Sequence, residues 1–143
     1  MTVIALLQLD PTVGDIVGNI ALVEAAALKA AEAGADMAVT SDLVISGYPP
    51  RDMLIDAACV SACEAASMKV NSPIPLLIGT PLSAGKERQK PFNGVVRVAD
   101  SRSSKIVARK QLLPTYDVFD EGRYFHPDDG PGIDRSLQGA SVG

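Results

Sequence analysis

The chain has 143 residues, 47 % apolar and 21 % charged, with a net charge of −4. That is enough for one ordinary globular domain with a core. Its lysines and arginines are scattered apart from a modest group at 102–110, so the basic stripe of a nucleic-acid binder is absent. No apolar run reaches the roughly 18 residues that span a bilayer, and the N-terminus lacks the pattern of a signal peptide. These features predict a cytoplasmic protein that binds neither nucleic acid nor membrane.

Thr2 to Leu9 is nearly all apolar and reads as a buried strand ended by Asp10-Pro11. A loop with two glycines follows. Asn19 is the predicted N-cap of the run I-A-L-V-E-A-A-A-L-K-A-A-E-A, and Gly34 is placed to stop that helix in a left-handed cap. Asp36 to Thr40 is a second short strand. Strand, helix and strand in this spacing predict a parallel pair.

The next stretch, S-D-L-V-I-S-G-Y-P-P-R-D, contains Pro49-Pro50 and is expected to be irregular. A helix is expected from about Asp52 to Met68. It carries the two cysteines, Cys59 and Cys63, on one face. No CxxC pair or metal-ligand spacing exists, and the single histidine, His126, is distant in sequence. Two small buried thiols are therefore the favoured reading, and no metal site is expected.

Strands are expected at 76–80, 92–99 and 105–110. S-A-G-K-E-R-Q-K at 83–90 reads as a polar turn, and D-S-R-S-S at 100–104 as a hairpin connection. From Leu112 the chain is expected to be irregular, with a turn at D-D-G-P-G, 128–132. The order β-α-β-α-β-β-β predicts an α/β domain with a mixed sheet.

Ligand sites in such sheets favour the loops after strand ends. Asp42 lies two residues past the second strand, and Lys110 ends the last one. A carboxylate and an amine that meet in a cleft can do acid–base work. A surface ion pair, or no contact, is the alternative. Tyr48, in the rigid G-Y-P-P turn, either faces a pocket or anchors the loop. Glu121 and Arg123 read as a local solvated pair, and Asn93-Gly94 as a strand start. Four of the six aromatic rings, Tyr116, Phe119, Tyr124 and Phe125, crowd the segment 110–125.

Together these motifs resemble the nitrilase-like carbon–nitrogen hydrolases, most closely the N-terminal glutaminase domain of the glutamine-dependent NAD synthetases. The resemblance rests on I-A-L-L-Q-L-D-P-T-V-G-D-I-V-G-N at 4–19, A-G-A-D at 33–36 and D-L-V-I-S-G-Y-P-P-R-D at 42–52. It continues in L-I-G-T-P at 77–81, F-N-G-V at 92–95 and R-K-Q-L-L-P-T-Y-D-V-F-D-E-G-R-Y-F at 109–125. It implies part of an α-β-β-α sandwich over residues 1–143. It also implies glutamine amide hydrolysis supplying ammonia for NAD synthesis.

In that family a glutamate base, a lysine and a nucleophilic cysteine act on the amide. The resemblance implies that Lys110 is the lysine and Glu121 a supporting acidic residue. It places Tyr116 in the glutamine pocket and Tyr48 in the substrate-side turn. The family base stands in P-E-L, where this chain has Ser41-Asp42-Leu43. Aspartate keeps the charge but is one methylene shorter, and misplacement by about 1 Å can cost about 10²-fold in rate.

The family cysteine ends a strand that Val142-Gly143 would begin, so the resemblance implies a chain truncated before its nucleophile. ATP and magnesium would belong to an absent synthetase domain, with no cofactor in this portion. The isolated chain is expected to be inactive, and to form homo-oligomers or associate through uncovered sheet edges. The alternative is a non-catalytic remnant or interaction module of the same fold.

Overall fold

The computed structural model describes residues 1–85, 89–99, 103–117 and 119–130. Five strands form one mixed sheet in the order β1-β2-β3-β4-β5: β1 Ile4–Leu7, β2 Met37–Thr40, β3 Leu76–Leu82, β4 Phe92–Val98 and β5 Ser104–Arg109. The first three strands run parallel; β4 and β5 are antiparallel additions. This is the α/β class and the parallel opening pair that the sequence predicts. The turn residues 86–88, the hairpin residues 100–102, the end of the 128–132 turn and Val142-Gly143 lie outside the described residues.

β1 is shorter than the apolar run because only Ile4 to Leu7 find partners on β2. β3 is longer than expected and includes Pro81. It has already run past Leu77, its last pairing with β2, so one side of the strand needs no donor there.

Two helices cover one face of the sheet. Helix α1, Ile16–Glu32, turns Asn19, Val23, Ala27 and Ala30 inward at helical spacing. Its small alanines let it lie close to Leu7, Ala38, Leu76 and Ile78. At its end Gly34 adopts φ +85°, Gly34 N–H donates to Ala31 and Ala35 N–H to Ala30. This is the left-handed cap the sequence predicts, in its Schellman form.

Asn19 is not the N-cap. The helix begins after Asp15, whose Oδ1 accepts from Gly18 N–H at 2.9 Å. Asn19 instead sits buried in the first turn as a cross-tie. Its Oδ1 accepts from Thr12 N–H, and its Nδ2 donates to the carbonyls of Thr12 and Ile45. Asn19→Ala strands three main-chain groups, two of them in the loop behind β1, and is expected to cost about 3 kcal/mol. Urea unfolding checks this; a loss under about 1 kcal/mol would mean that water replaces the amide.

The helix expected over 52–68 is two elements, a 3-10 helix at Arg51–Ile55 and α2 at Ala57–Ser67. Asp56 separates them: its backbone is extended, and its Oδ1 caps α2 through Ala58 N–H at 2.8 Å. The last expected irregular stretch contains one helical turn, α3, Glu121–Tyr124. A small second core of Leu43, Leu54, Val60 and Phe125 joins the loop after β2 to both of these segments.

The opposite face of the sheet carries no helix among the described residues. On outer strand β1, Ile4 is 47 % and Leu6 75 % exposed. The row Leu6, Val39, Leu77, Arg97 crosses this face by strand register. No helix among the described residues is long and apolar enough to cross a membrane.

Candidate functional site

The loop after β2 brings Asp42 to the carboxyl end of the parallel strands. Three features fix it there. Thr40 Oγ1 accepts from Gly79 N–H at 3.1 Å. Gly79 has no side chain where the loop crosses β3, and a Cβ there would meet Ser41 O at 2.6 Å and Leu43 N at 2.8 Å. Leu43 takes φ +52°, a conformation costly for a branched residue, and its fully buried side chain holds it.

Lys110 arrives from the other side through an irregularity in the β4–β5 ladder. Val96 faces Ile106, but Val95 faces Ala108, so Val107 is an extra residue in β5. A regular ladder would set Arg109 opposite Asn93. The bulge sets Lys110 there instead, and Lys110 N–H donates to Asn93 O at 2.7 Å. Lys110 O in turn accepts from Asp128 N–H.

The Lys110 ammonium lies between two carboxylates. Asp42 Oδ2 is 3.2 Å away. Glu121 Oε1 accepts from it at 3.1 Å, and Oε2 lies at 2.9 Å without hydrogen-bond alignment. Glu121 is only 5 % exposed, so Lys110 is its essential counter-charge. Burial pulls the Lys110 pKa down, but the hydrogen bond to Glu121 and the charges of Asp42 and Glu121 outweigh it and hold the ammonium above the ordinary lysine value. Lys110 is therefore a fixed cation near neutral pH.

The local Glu121–Arg123 pair does not form as the ion pair read from the sequence: Glu121 turns to Lys110, and Arg123 reaches Asp52 at 3.7 Å.

Asp42, Lys110 and Glu121 line one end of a cavity of about 490 Å3, with Tyr48, Tyr116 and Phe119 as its aromatic wall. All five site residues named from the sequence thus meet in one place. The size is that of a small-molecule pocket. Tyr116 packs edge-on to Phe119, which also neighbours Tyr48. The Tyr48 hydroxyl is pushed above its usual pKa by burial first, then by the charges of Glu121 and Asp42. A second cavity of about 400 Å3, along the sheet face opposite the helices, also opens onto Asp42 and Lys110.

Neither cysteine lines either cavity. Cys63 is fully buried in the helix–sheet core, and burial together with the neighbouring Cys59 pushes its thiol up to about 12. A buried neutral thiol is a poor nucleophile. Among the described residues no group of His, Cys, Asp or Glu is arranged to hold a metal ion.

The sequence reading missed Asn93. Its Nδ2 donates to Asp42 Oδ2 at 3.2 Å, which makes it part of the cluster. Its sequence signals were a lone amide inside an apolar strand and a place in the F-N-G-V motif of the resemblance, and neither named a role.

No family model matches the chain. It is 39 % identical over 132 residues to the glutamine-dependent NAD(+) synthetase of Synechocystis, covering 87 % of this chain and 24 % of the relative. Its identity to the Xanthomonas campestris enzyme of the same name is 37 % over 149 residues, covering 98 % and 26 %. The chain thus spans about a quarter of the length of the relatives it matches. Among solved structures, the glutamine-dependent NAD+ synthetase of Acinetobacter baumannii superposes with a TM-score of 0.74 at 26 % identity, over 89 % of this chain and 24 % of that one. An amidase from Nesterenkonia shares the fold, with a TM-score of 0.65 at 22 % identity, over 90 % and 48 %.

Proposed function

The chain is a homologue of the glutamine-dependent NAD+ synthetases and has the fold of nitrilase-superfamily enzymes, and from that premise we propose that it is a glutaminase portion whose cavity receives glutamine. The observation that carries this reading is the Lys110 ammonium held between Asp42 and Glu121 at the end of an aromatic-walled pocket.

In this reading Asp42 is the general base. A carboxylate beside the reacting thiol takes its proton as sulfur attacks the amide carbon. Lys110, kept protonated, stabilises the negative charge that develops on the carbonyl oxygen. Glu121 aims Lys110 and keeps it charged. Tyr48 and Tyr116 wall the carbon chain of glutamine. Collapse of the tetrahedral intermediate breaks the carbon–nitrogen bond and leaves a thioester, and the proton held by Asp42 passes to the leaving nitrogen. The ammonia released serves NAD synthesis, with ATP and magnesium used in a synthetase portion outside these residues. The setting is cytoplasmic.

The attacking thiol is neither Cys59 nor Cys63, so the 143 residues by themselves bind glutamine but do not turn it over. Titrating glutamine into isotope-labelled chain tests both halves. Resonances of Tyr48, Lys110, Tyr116 and Glu121 are expected to shift, while ammonia release stays at the buffer level and a glutamine-like electrophile leaves both cysteines unlabelled. Unmoved pocket resonances would sink the substrate reading.

A second reading, an interaction module of the same fold, is favoured by the exposed apolar residues of β1, Ile4 and Leu6. It predicts a chain that ignores glutamine and sediments as a self-associated species.

A further inference from the structure

Asn93 is 3 % exposed, at the second position of β4 opposite Pro81. Two of its groups reach the cluster from one residue. The main-chain carbonyl accepts from Lys110 N–H at 2.7 Å, and the side-chain amide donates to Asp42 Oδ2 at 3.2 Å. The same Oδ2 accepts from Lys110 Nζ at 3.2 Å. Asn93 therefore closes a ring: its backbone fixes where Lys110 starts, and its side chain fixes where Asp42 ends.

The Asp42 side chain is 44 % exposed. A half-exposed carboxylate facing one ammonium is weakly held, because water competes and the side chain loses rotamer freedom in pairing. The buried amide differs. It has little access to water, so turning Asp42 away strands a donor. Its position is also rigid. The next residue, Gly94, lies so close to β3 and β5 that a Cβ would meet Leu82 Cδ1 at 2.2 Å and Ala108 O at 2.9 Å. The bulge that follows sets Lys110 rather than Arg109 across from Asn93.

We propose that Asn93 is a positioning residue, which acts through Asp42 by locking its carboxylate onto the Lys110 ammonium. Its relevance to catalysis rests on the glutaminase reading; the lock itself does not.

The test reads the Lys110 ammonium directly, by NMR titration of lysine-labelled chain in four proteins: wild type, Asn93→Leu, Asp42→Asn and the double variant. With the lock broken, Asp42 leaves Lys110, so Asn93→Leu is expected to lower the Lys110 titration point toward the ordinary 10.5. Asp42→Asn is expected to lower it as well, and adding Asn93→Leu to Asp42→Asn to lower it no further. Asn93→Ala takes the place of Asn93→Leu if the larger side chain prevents folding. An unmoved Lys110 in the Asn93 variant would overturn the proposal. So would an equal shift with and without Asp42, since that effect would travel through the backbone of β4. No glutamine is present, so a chain that fails to bind glutamine leaves this result standing, and the reverse also holds.

Discussion

Replacing Lys110 by methionine is expected to destabilise the chain by about 2 kcal/mol at neutral pH, and Lys110→Met with Glu121→Gln to restore most of that loss. Removing one partner of a buried pair typically costs about 3–5 kcal/mol, because the remaining charge is stranded. Here the side chain of Lys110 is 33 % exposed and that of Glu121 only 7 %. Water can enter the space the ammonium leaves and partly resolvate the carboxylate, which brings the cost below that range, to about 2 kcal/mol. In a chain of this length about 2 kcal/mol is a fall in Tm of roughly 6 °C. Thermal melts of the two variants check it. A Lys110→Met melt that matches wild type would show that Glu121 does not depend on its cation.

The pH dependence has a definite sign. The folded chain holds the Lys110 proton more tightly than the unfolded chain, whose lysine titrates near 10.5. The stabilisation is therefore complete below that value and is lost as pH rises through the higher folded value. Tyr48 acts in the same direction. Its hydroxyl ionises less readily in the fold than its ordinary 10.0, so it too withdraws stability above that pH. Wild type and Lys110→Met should converge in alkali.

How much of this was legible in the sequence depends on how far each feature reaches. Gly34 was readable because a left-handed cap is a local demand that glycine meets. Asn19 was misread because its residue type fits an N-cap, while its side chain bonds back to Thr12 and across to the Ile45 carbonyl, 26 residues away. The helix over 52–68 was drawn too long because an aspartate at 56 is tolerated inside a helix and also starts one.

The site shows the same division. Spacing alone left open whether Asp42 and Lys110 meet, being 68 residues apart. The family resemblance named Asp42, Tyr48, Lys110, Tyr116 and Glu121 together, and they do line one cavity. The device that turns Lys110 inward, the extra residue Val107, leaves no mark in composition or periodicity. Asn93 escaped for the same reason. An amide in a strand means nothing until the bulge decides what stands opposite it.

Gly79→Ala is expected to cost about 3 kcal/mol and to separate Asp42 from Lys110. The added Cβ would meet Ser41 O at 2.6 Å, Leu43 N at 2.8 Å and Asp42 Cα at 3.0 Å. All three are backbone atoms, so no side chain can swing aside and the loop itself has to lift. Overpacking of this kind costs about 1–3 kcal/mol. The upper end applies because Leu43 is anchored in the small core with Leu54, Val60 and Phe125, and lifting the loop draws it out. Asp42 then rises by about 1 Å, and contacts of 3.2 Å pass beyond hydrogen-bond range. Lys110 keeps Glu121 alone, and its titration point should fall. Gly34→Ala is the control: it strains a residue at φ +85° with open space around it, so it should cost only about 1 kcal/mol and leave Lys110 untouched. If Gly79→Ala behaved like Gly34→Ala, the loop would not rest on β3. If it moves Lys110 as expected, the position of the candidate base is set by a glycine that touches no substrate, through contact of one backbone with another.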